Sequence, residues 1–196
     1  MKYKTIGIMC GSSDACPQKY LDLAYAVGKS LAEHGHDIVY GGGGKGLMRR
    51  AADGAMEHGA EVHGYIPKFM LAVEWQHPKL NNLHLTDDMS ERKFKMMSHS
   101  DATVFLPGGS GTMEEFFEWM SSKRLGKYTG PLIIFNFEGY YNSLTELLKL
   151  MEKEKFHNPI HAQMWSVCER VEELVDLIEN APDWDKDAIR HASVKS

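Results

Sequence analysis

A glycine-rich loop between a strand and a helix constrains this sequence more than any other feature. The loop lies in Pro107-Gly-Gly-Ser-Gly-Thr-Met-Glu-Glu115. The apolar run Ala102–Leu106 before it is typical of a buried strand, and the residues from Thr112 to Met120 show a helical pattern. Glycines let backbone N–H groups approach a ligand, and a helix N-terminus carries roughly half a positive charge. The motif therefore predicts an anion site where a strand meets a helix.

A capping box is the alternative interpretation of the same residues. The Thr112 side chain would accept from the backbone N–H of Glu115, and the glutamate would reach back to the Thr112 N–H. Capping does not require the three glycines found in the five positions before Thr112. A loop that must approach a phosphate does require them, so ligand binding is the favoured interpretation. Glu115 can both cap the helix and contact the ligand.

Apolar runs typical of strands alternate with helical patterns along the whole chain. Strands are predicted at Lys4–Cys10, Asp37–Tyr40, Glu61–Ile66, Leu83–Leu85, Ala102–Leu106, Pro131–Phe135 and Trp165–Cys168. Helices are predicted at Pro17–His34, Leu47–His58, Asp88–His99, Thr112–Met120, Tyr140–Glu154 and Val171–Asn180. This alternation predicts an α/β fold, a Rossmann-like doubly wound parallel sheet with helices on both faces.

Length and composition indicate one globular domain. The chain has 196 residues and no linker-like stretch, so we expect a single Rossmann-like nucleotide-binding domain over residues 1–182 and a charged tail, prone to fraying, over 183–196. The net charge of −5 argues against nucleic acid as a partner. The sequence lacks the apolar core of a signal peptide or of a membrane helix, and its three cysteines have no metal-like spacing, which favours a cytoplasmic protein.

Three glycine-bearing loops should meet at the carboxyl edge of the sheet, where such folds bind ligands. They are Gly11–Ser13, Gly41–Gly46 and Pro107–Gly111. From the first two we expect phosphate or ribose contacts by Gly11, Ser12, Gly42 and Gly43. Gly41–Gly46 lacks the Lys-Ser/Thr ending of a P-loop, and no acidic residue stands where a dinucleotide fingerprint needs one. A mononucleotide or a sugar phosphate fits better.

Four motifs in order resemble those of the LOG (Lonely Guy) family of cytokinin riboside 5′-monophosphate phosphoribohydrolases, whose members are often labelled lysine decarboxylases. The motifs are Cys10-Gly-Ser-Ser13, Tyr40-Gly-Gly-Gly43 with Gly46-Leu-Met48, Met89-Ser-Glu-Arg-Lys93 and Pro107–Glu115. The resemblance spans Ile6 to Tyr141. It implies cleavage of the N-glycosidic bond of an adenine-type nucleoside 5′-monophosphate, either a cytokinin riboside monophosphate or AMP, to free base and ribose 5-phosphate. It also implies a homodimer that needs no metal and no organic cofactor.

The resemblance assigns roles to individual residues. Arg92 and Glu115 match the family's catalytic arginine and glutamate. The substrate contacts fall on Glu74, Arg92, Lys93, Gly108, Gly109, Ser110, Gly111, Thr112, Met113, Glu114 and Ser121. Two positions depart from the family pattern, because Ser121 replaces a usual threonine and Arg49 a usual glycine. Arg49 is interpreted first as a solvated helix charge, and otherwise as an additional phosphate contact that would alter which nucleotide fits.

Glu115 has a defined task in this chemistry. Cleavage of the N-glycosidic bond develops positive charge on C1′, which a nearby carboxylate can stabilise while it orients a water. We expect Glu115 to stay ionised, because the helix dipole favours its charged form. No pattern selects His63, His77, His84 or His99 as an acid or a base.

The alternative function is a non-catalytic nucleotide- or cofactor-binding protein resembling the molybdenum-cofactor carrier proteins, which share a related fold. The combination of Arg92 with Glu115 favours the enzyme. The sequence does not decide between AMP and prenylated nucleotides.

Overall fold

The computed structural model describes residues 1–72, 76–80 and 82–191. Within them lie seven strands: β1 (Thr5–Met9), β2 (Asp37–Tyr40), β3 (Val62–Pro67), β4 (Asn82–Thr86), β5 (Ala102–Phe105), β6 (Leu132–Phe135) and β7 (Trp165–Cys168). Six α-helices of the described chain alternate with them: α1 (Gln18–Glu33), α2 (Gly46–Glu57), α3 (Met89–Ser98), α4 (Ser110–Arg124), α5 (Asn142–Lys153) and α6 (Val171–Glu179). Short 3₁₀ turns occur at Lys68–Ala72, Phe137–Gly139, Pro159–Met164 and Ala188–His191.

All neighbouring strands in the sheet are parallel, in the order β4-β3-β2-β1-β5-β6-β7. One apolar core packs α1, α2 and α6 on one face of the sheet, and a second core packs α3, α4 and α5 on the other. The predicted doubly wound α/β fold is therefore confirmed. Strand order reverses at β1, which lies between β2 and β5, and parallel sheets bind ligands at such a switch point.

The connection from β3 to β4 differs from the other crossovers. Residues 68–81, which we call the strap, join these two parallel strands, and their described part contains the 3₁₀ turn Lys68–Ala72 in place of an α-helix. The strap leaves β3 at Pro67, at the carboxyl edge of the sheet. It therefore starts beside the switch point.

Residues after α6 pack back onto the domain. The Trp184 indole donates to the Lys123 carbonyl at 2.6 Å, and Ala188 is buried. The division into one domain and a tail stays a prediction. No helix in the described parts of the chain has both the length and the apolar character needed to cross a membrane.

Two glycines set the distance between α1 and α2. A Cβ added to Gly28 would lie 2.0 Å from the Ala51 carbonyl oxygen, and one added to Gly54 would lie 2.2 Å from the Tyr25 carbonyl oxygen. Real Cβ contacts do not approach this closely. Each helix therefore packs against the backbone of the other. This contact fixes the position of α2, which follows the glycine-rich loop after β2.

We expect Gly28→Ala to lower the free energy of unfolding by about 1–3 kcal/mol, because the added methyl forces the two helices apart. Urea denaturation followed by circular dichroism measures the change. Gly111→Ala is the matched control for stability, since a Cβ at that helical position meets no atom within 4 Å. A Gly28→Ala protein as stable as the wild type would show that the two helices do not depend on this contact.

Candidate active site

A cavity of about 320 Å³ lies at the carboxyl ends of β1 and β5. Loops after β1, β2 and β5 converge on it, together with α3, α4 and the strap. Its described lining residues are Ile8, Met9, Cys10, Gly11, Ser12, Gly41, Met48, Met70, Arg92, Gly109, Ser110, Gly111, Thr112 and Glu115. Most of the predicted glycine-rich loop thus meets both predicted catalytic residues in one place.

The loops after β1 and β5 touch through their backbones. The Gly11 N–H donates to the Pro107 carbonyl at 3.1 Å. A Cβ added to Gly108 would lie 2.1 Å from the Thr112 hydroxyl and 2.9 Å from the Gly11 nitrogen. A side chain at Gly108 would therefore push the two loops apart. This glycine is required by the close approach of Thr112 and of the loop after β1, whereas the sequence analysis attributed it to the approach of a ligand.

Two tyrosines that directly precede α5 bond to the loop after β5. The Tyr141 hydroxyl donates to the Leu106 carbonyl at 2.7 Å, and the Tyr140 hydroxyl donates to the Gly108 carbonyl at 2.8 Å. These bonds fix the carbonyl side of the loop. Its N–H groups therefore keep their orientation at the start of α4.

The capping-box interpretation is wrong. Helix α4 begins at Ser110 with Gly109 as its N-cap, and no side chain among the described residues caps it. Thr112 therefore lies inside the first turn, where its hydroxyl packs against Gly108. An early start without a cap leaves the first N–H groups of the helix for an anion in the cavity.

Arg92 and Glu115 form a buried ion pair at the cavity. The Arg92 Nη2 atom lies 3.7 Å from Oε1 of Glu115, and the two residues are only 8% and 9% exposed. Arg92 Nε also donates to the Tyr65 carbonyl at 3.0 Å, which ties the guanidinium to β3. The capped N-terminus of α3, where the Asp88 side chain accepts from the Glu91 N–H, orients the helix that carries Arg92.

The prediction that the helix dipole keeps Glu115 ionised is also wrong. Burial raises the pKa of Glu115 to about 7, and the Arg92 charge only partly opposes this shift. Since α4 starts at Ser110, Glu115 is the sixth residue of the helix, beyond the first turn in which the dipole acts. At neutral pH the carboxyl group is therefore balanced between its two protonation states.

Lys93 and Glu114, predicted substrate contacts, pair with each other outside the cavity lining. The Lys93 ammonium binds Glu114 and lies 2.8 Å from Oε2 of Glu118. Burial disfavours the charge of Lys93, but the hydrogen bonds to the two carboxylates outweigh burial and raise its pKa. This cluster links α3 to α4 and so supports the Arg92–Glu115 geometry.

The remaining predicted residues lie in several places. Gly42 and Gly43 bond to the strap, whereas their neighbour Gly41 lines the cavity. Ser121 is exposed and lines a separate cavity of about 170 Å³. Met113 packs against the core around α4. Glu74 lies outside the described residues.

Arg49 is half exposed, and its Nε lies 3.4 Å from Oδ2 of Asp53 one turn further along α2. This placement matches the interpretation of Arg49 as a solvated helix charge. The cavity lining contains its neighbour Met48 instead.

Sequence reasoning missed the apolar part of the lining, namely Ile8, Met9, Cys10, Met48 and Met70. Cys10 and Met48 lie in motifs quoted in the sequence analysis, so their place in the cavity lining could have been predicted from those motifs. No sequence motif marked Met70 as a lining residue, because its place depends on how the turn Lys68–Ala72 packs. Among the described residues, no group of three His, Cys, Asp or Glu side chains is arranged to hold a metal ion.

Comparisons with known proteins identify the sequence relatives and the structural neighbours of this chain. The sequence model described as "Possible lysine decarboxylase" matches residues 48–178. The cytokinin riboside 5′-monophosphate phosphoribohydrolase LOG3 of Arabidopsis thaliana is 35% identical over 178 residues, which cover 91% of this chain and 83% of that protein. The enzyme of the same name from Rhodococcoides fascians is 34% identical over 178 residues, 90% of each chain.

Among solved structures, the molybdenum cofactor carrier protein of Chlamydomonas reinhardtii superposes with a TM-score of 0.70. It is 21% identical, and the match covers 91% of this chain and 97% of that one. This likeness shows a shared fold. The sequence matches go further, and the chain belongs to the LOG family, whose sequence model bears the description "Possible lysine decarboxylase".

Proposed function

We propose that this protein hydrolyses the N-glycosidic bond of an adenine-type nucleoside 5′-monophosphate to free base and ribose 5-phosphate. One observation carries the proposal: a buried arginine–glutamate pair faces the same cavity as an uncapped helix N-terminus. The relatives named cytokinin riboside 5′-monophosphate phosphoribohydrolases support it. A carrier protein would need the anion site, but a titrating carboxyl group beside it is typical of catalysis.

The 5′-phosphate would bind at the start of α4. Ser110 and Gly111 occupy its first turn, and their N–H groups and the helix dipole attract an anion. Gly11 and Ser12, from the loop after β1, also line the cavity. With the phosphate fixed there, the ribose would lie within reach of Glu115, one turn into the same helix.

Glu115 would act on the water that replaces the base. The bond between C1′ and the base nitrogen breaks with both electrons leaving on the base, while a water oxygen bonds to C1′. The carboxylate stabilises the positive charge that develops on C1′ and accepts the proton that the water loses. Glu115 then returns to its ionised form as this proton passes to the departing base, so one water is consumed in each cleavage. A pKa of about 7 suits this role, since a base works best near the operating pH.

Arg92 would interact with both Glu115 and the substrate. Its Nη2 lies near Glu115 and its Nε bonds to the Tyr65 carbonyl. The guanidinium has five donors, so others remain for ribose or phosphate oxygens. Its charge also makes the ionised form of Glu115 accessible in a buried site.

We also propose that the substrate is a cytokinin riboside monophosphate or AMP, because the described site contacts would recognise the phosphate and ribose that these molecules share. A cytoplasmic location fits the three cysteines, which are all unpaired.

We further propose a homodimer, since large apolar side chains are exposed on the strap, β4 and α3, at Phe69, Leu85 and Phe94. Sedimentation equilibrium should give twice the 22.2 kDa chain mass. A monomer at all concentrations would contradict this part of the proposal.

Replacing the carboxylate tests the chemistry. We expect the wild type to release free base from AMP or from N6-prenylated AMP, and Glu115→Gln to lower kcat about a hundredfold to ten-thousandfold, because an amide accepts no proton. Chromatography of the products measures both. The control is Glu146→Gln, at an exposed helical glutamate of α5, which should keep full activity. Binding of both nucleotides without release of base from either would favour a carrier, and full activity of Glu115→Gln would remove this residue from the mechanism.

The pH profile should follow the titration of Glu115. Because the ionised form is the active one, kcat/KM should be constant above a pH of about 7 and fall about tenfold per unit below it. Since the Arg92 charge lowers the pKa of Glu115, the midpoint should move to higher pH in Arg92→Ala, along with a loss of rate. A wild-type profile that stays flat down to pH 5 would contradict the assignment.

A further inference from the structure

The strap carries a buried histidine that bonds to a buried aspartate on α2. Nε2 of His77 lies 3.1 Å from Oδ1 of Asp53, and both residues are buried. The backbone N–H of Lys79 donates to Nδ1 of His77 at 3.2 Å. A neutral ring with its proton on Nε2 satisfies both contacts, because it then accepts at Nδ1 and donates at Nε2.

The backbone around His77 pairs with the loop after β2. The His77 N–H donates to the Gly42 carbonyl at 3.1 Å, and Gln76 forms an antiparallel bridge with Gly43. Gly42 has a φ of +76°, a left-handed conformation that favours glycine. This part of the strap therefore adds a short backbone pairing to the loop after β2.

That loop in turn contacts Arg92. Gly41 lines the cavity, and a Cβ added there would lie 2.1 Å from Nη2 of Arg92. The guanidinium thus rests directly on the Gly41 backbone. A continuous series of contacts leads from Asp53 through His77 and the glycine loop to the arginine beside Glu115.

Asp53 is held from its other side as well. Its Oδ2 lies 3.4 Å from Nε of Arg49, so each carboxylate oxygen has a partner. Arg49, which departs from the family pattern, therefore contacts the residue that binds the strap. Its exposure makes this second contact weak compared with the buried one.

We propose that His77 and Asp53 are positioning residues, which hold residues 76–80 of the strap against Gly41–Gly43 and so fix the Arg92 guanidinium relative to Glu115. The kinetic part of this inference rests on the proposed function. The positional part does not, because it concerns the geometry of the protein without substrate. Neither residue is among the described residues that line the cavity.

Two substitutions of His77 separate its contacts. In His77→Gln the amide nitrogen can replace Nε2 and keep the bond to Asp53. In His77→Asn the shorter amide can keep the Lys79 contact but does not reach Asp53. We expect His77→Asn to lower kcat/KM about tenfold to a hundredfold, chiefly through kcat, since a small displacement of a catalytic group is costly. His77→Gln should recover most of the loss.

A second readout needs no turnover. The charged groups acting on Glu115 are Arg92, Lys93, Glu114 and Glu118, and of these Arg92 contacts Gly41. If His77→Asn displaces Arg92, the titration midpoint of the Glu115 carboxyl group, followed by ¹³C NMR, should move to higher pH than in the wild type. In His77→Gln it should stay at the wild-type value. If His77→Asn does not fold, the isosteric Asp53→Asn should give a smaller shift in the same direction.

The matched control is His58→Asn, which removes a ring that bonds to the Gly54 carbonyl at the far end of α2. It should change neither the kinetics nor the Glu115 titration. The inference is overturned if His77→Asn lowers thermal stability but leaves the Glu115 midpoint and kcat at wild-type values, because His77 would then only support the fold. A wild type that releases no base would reject the proposed reaction, while the NMR titration would still decide the positioning role.

Discussion

The close approach of the loops after β1 and β5 is the constraint on which the rest of the site depends. Gly11 bonds to the Pro107 carbonyl at 3.1 Å, and the Gly108 backbone leaves no room for a side chain between the loops. Because the loops touch, α4 starts early and directs its N-terminus into the cavity. The same loop contact places Glu115, one turn along α4, 3.7 Å from the guanidinium of Arg92 on α3.

Enclosure of the carboxyl group gives the site its chemical character. A buried carboxylate without a partner would be strongly destabilised, and a fully compensated one would be too weak a base to accept a proton near neutral pH. Arg92 at 3.7 Å compensates in part, and the pKa of Glu115 settles near 7. Removal of Glu115 leaves the Arg92 charge buried without this partner, and removal of Arg92 raises the pKa of Glu115 further, which links the stability of this region to its function.

The sequence was sufficient to predict the fold and the convergence of the glycine-bearing loops, but not the electrostatics of the cavity that they border. Short apolar strands such as Pro131–Phe135 and glycine-rich loops carry local signals, and they predicted the parallel sheet and the convergence of loops. The start of α4 was misplaced because Thr112 and Glu115 match a capping box locally, whereas the backbone contact at Gly108 that overrides it is tertiary. The pKa of Glu115 depends on burial, and the His77–Asp53 contact joins residues 24 positions apart. One sequence reveals neither.

A structure of the Glu115→Gln protein with AMP bound would test the central claim most directly. Our account predicts the 5′-phosphate on the first N–H groups of α4, with C1′ of the ribose facing residue 115 and the Arg92 guanidinium within hydrogen-bonding distance of the nucleotide. A phosphate bound away from the start of α4, or a ribose turned away from residue 115, would contradict it.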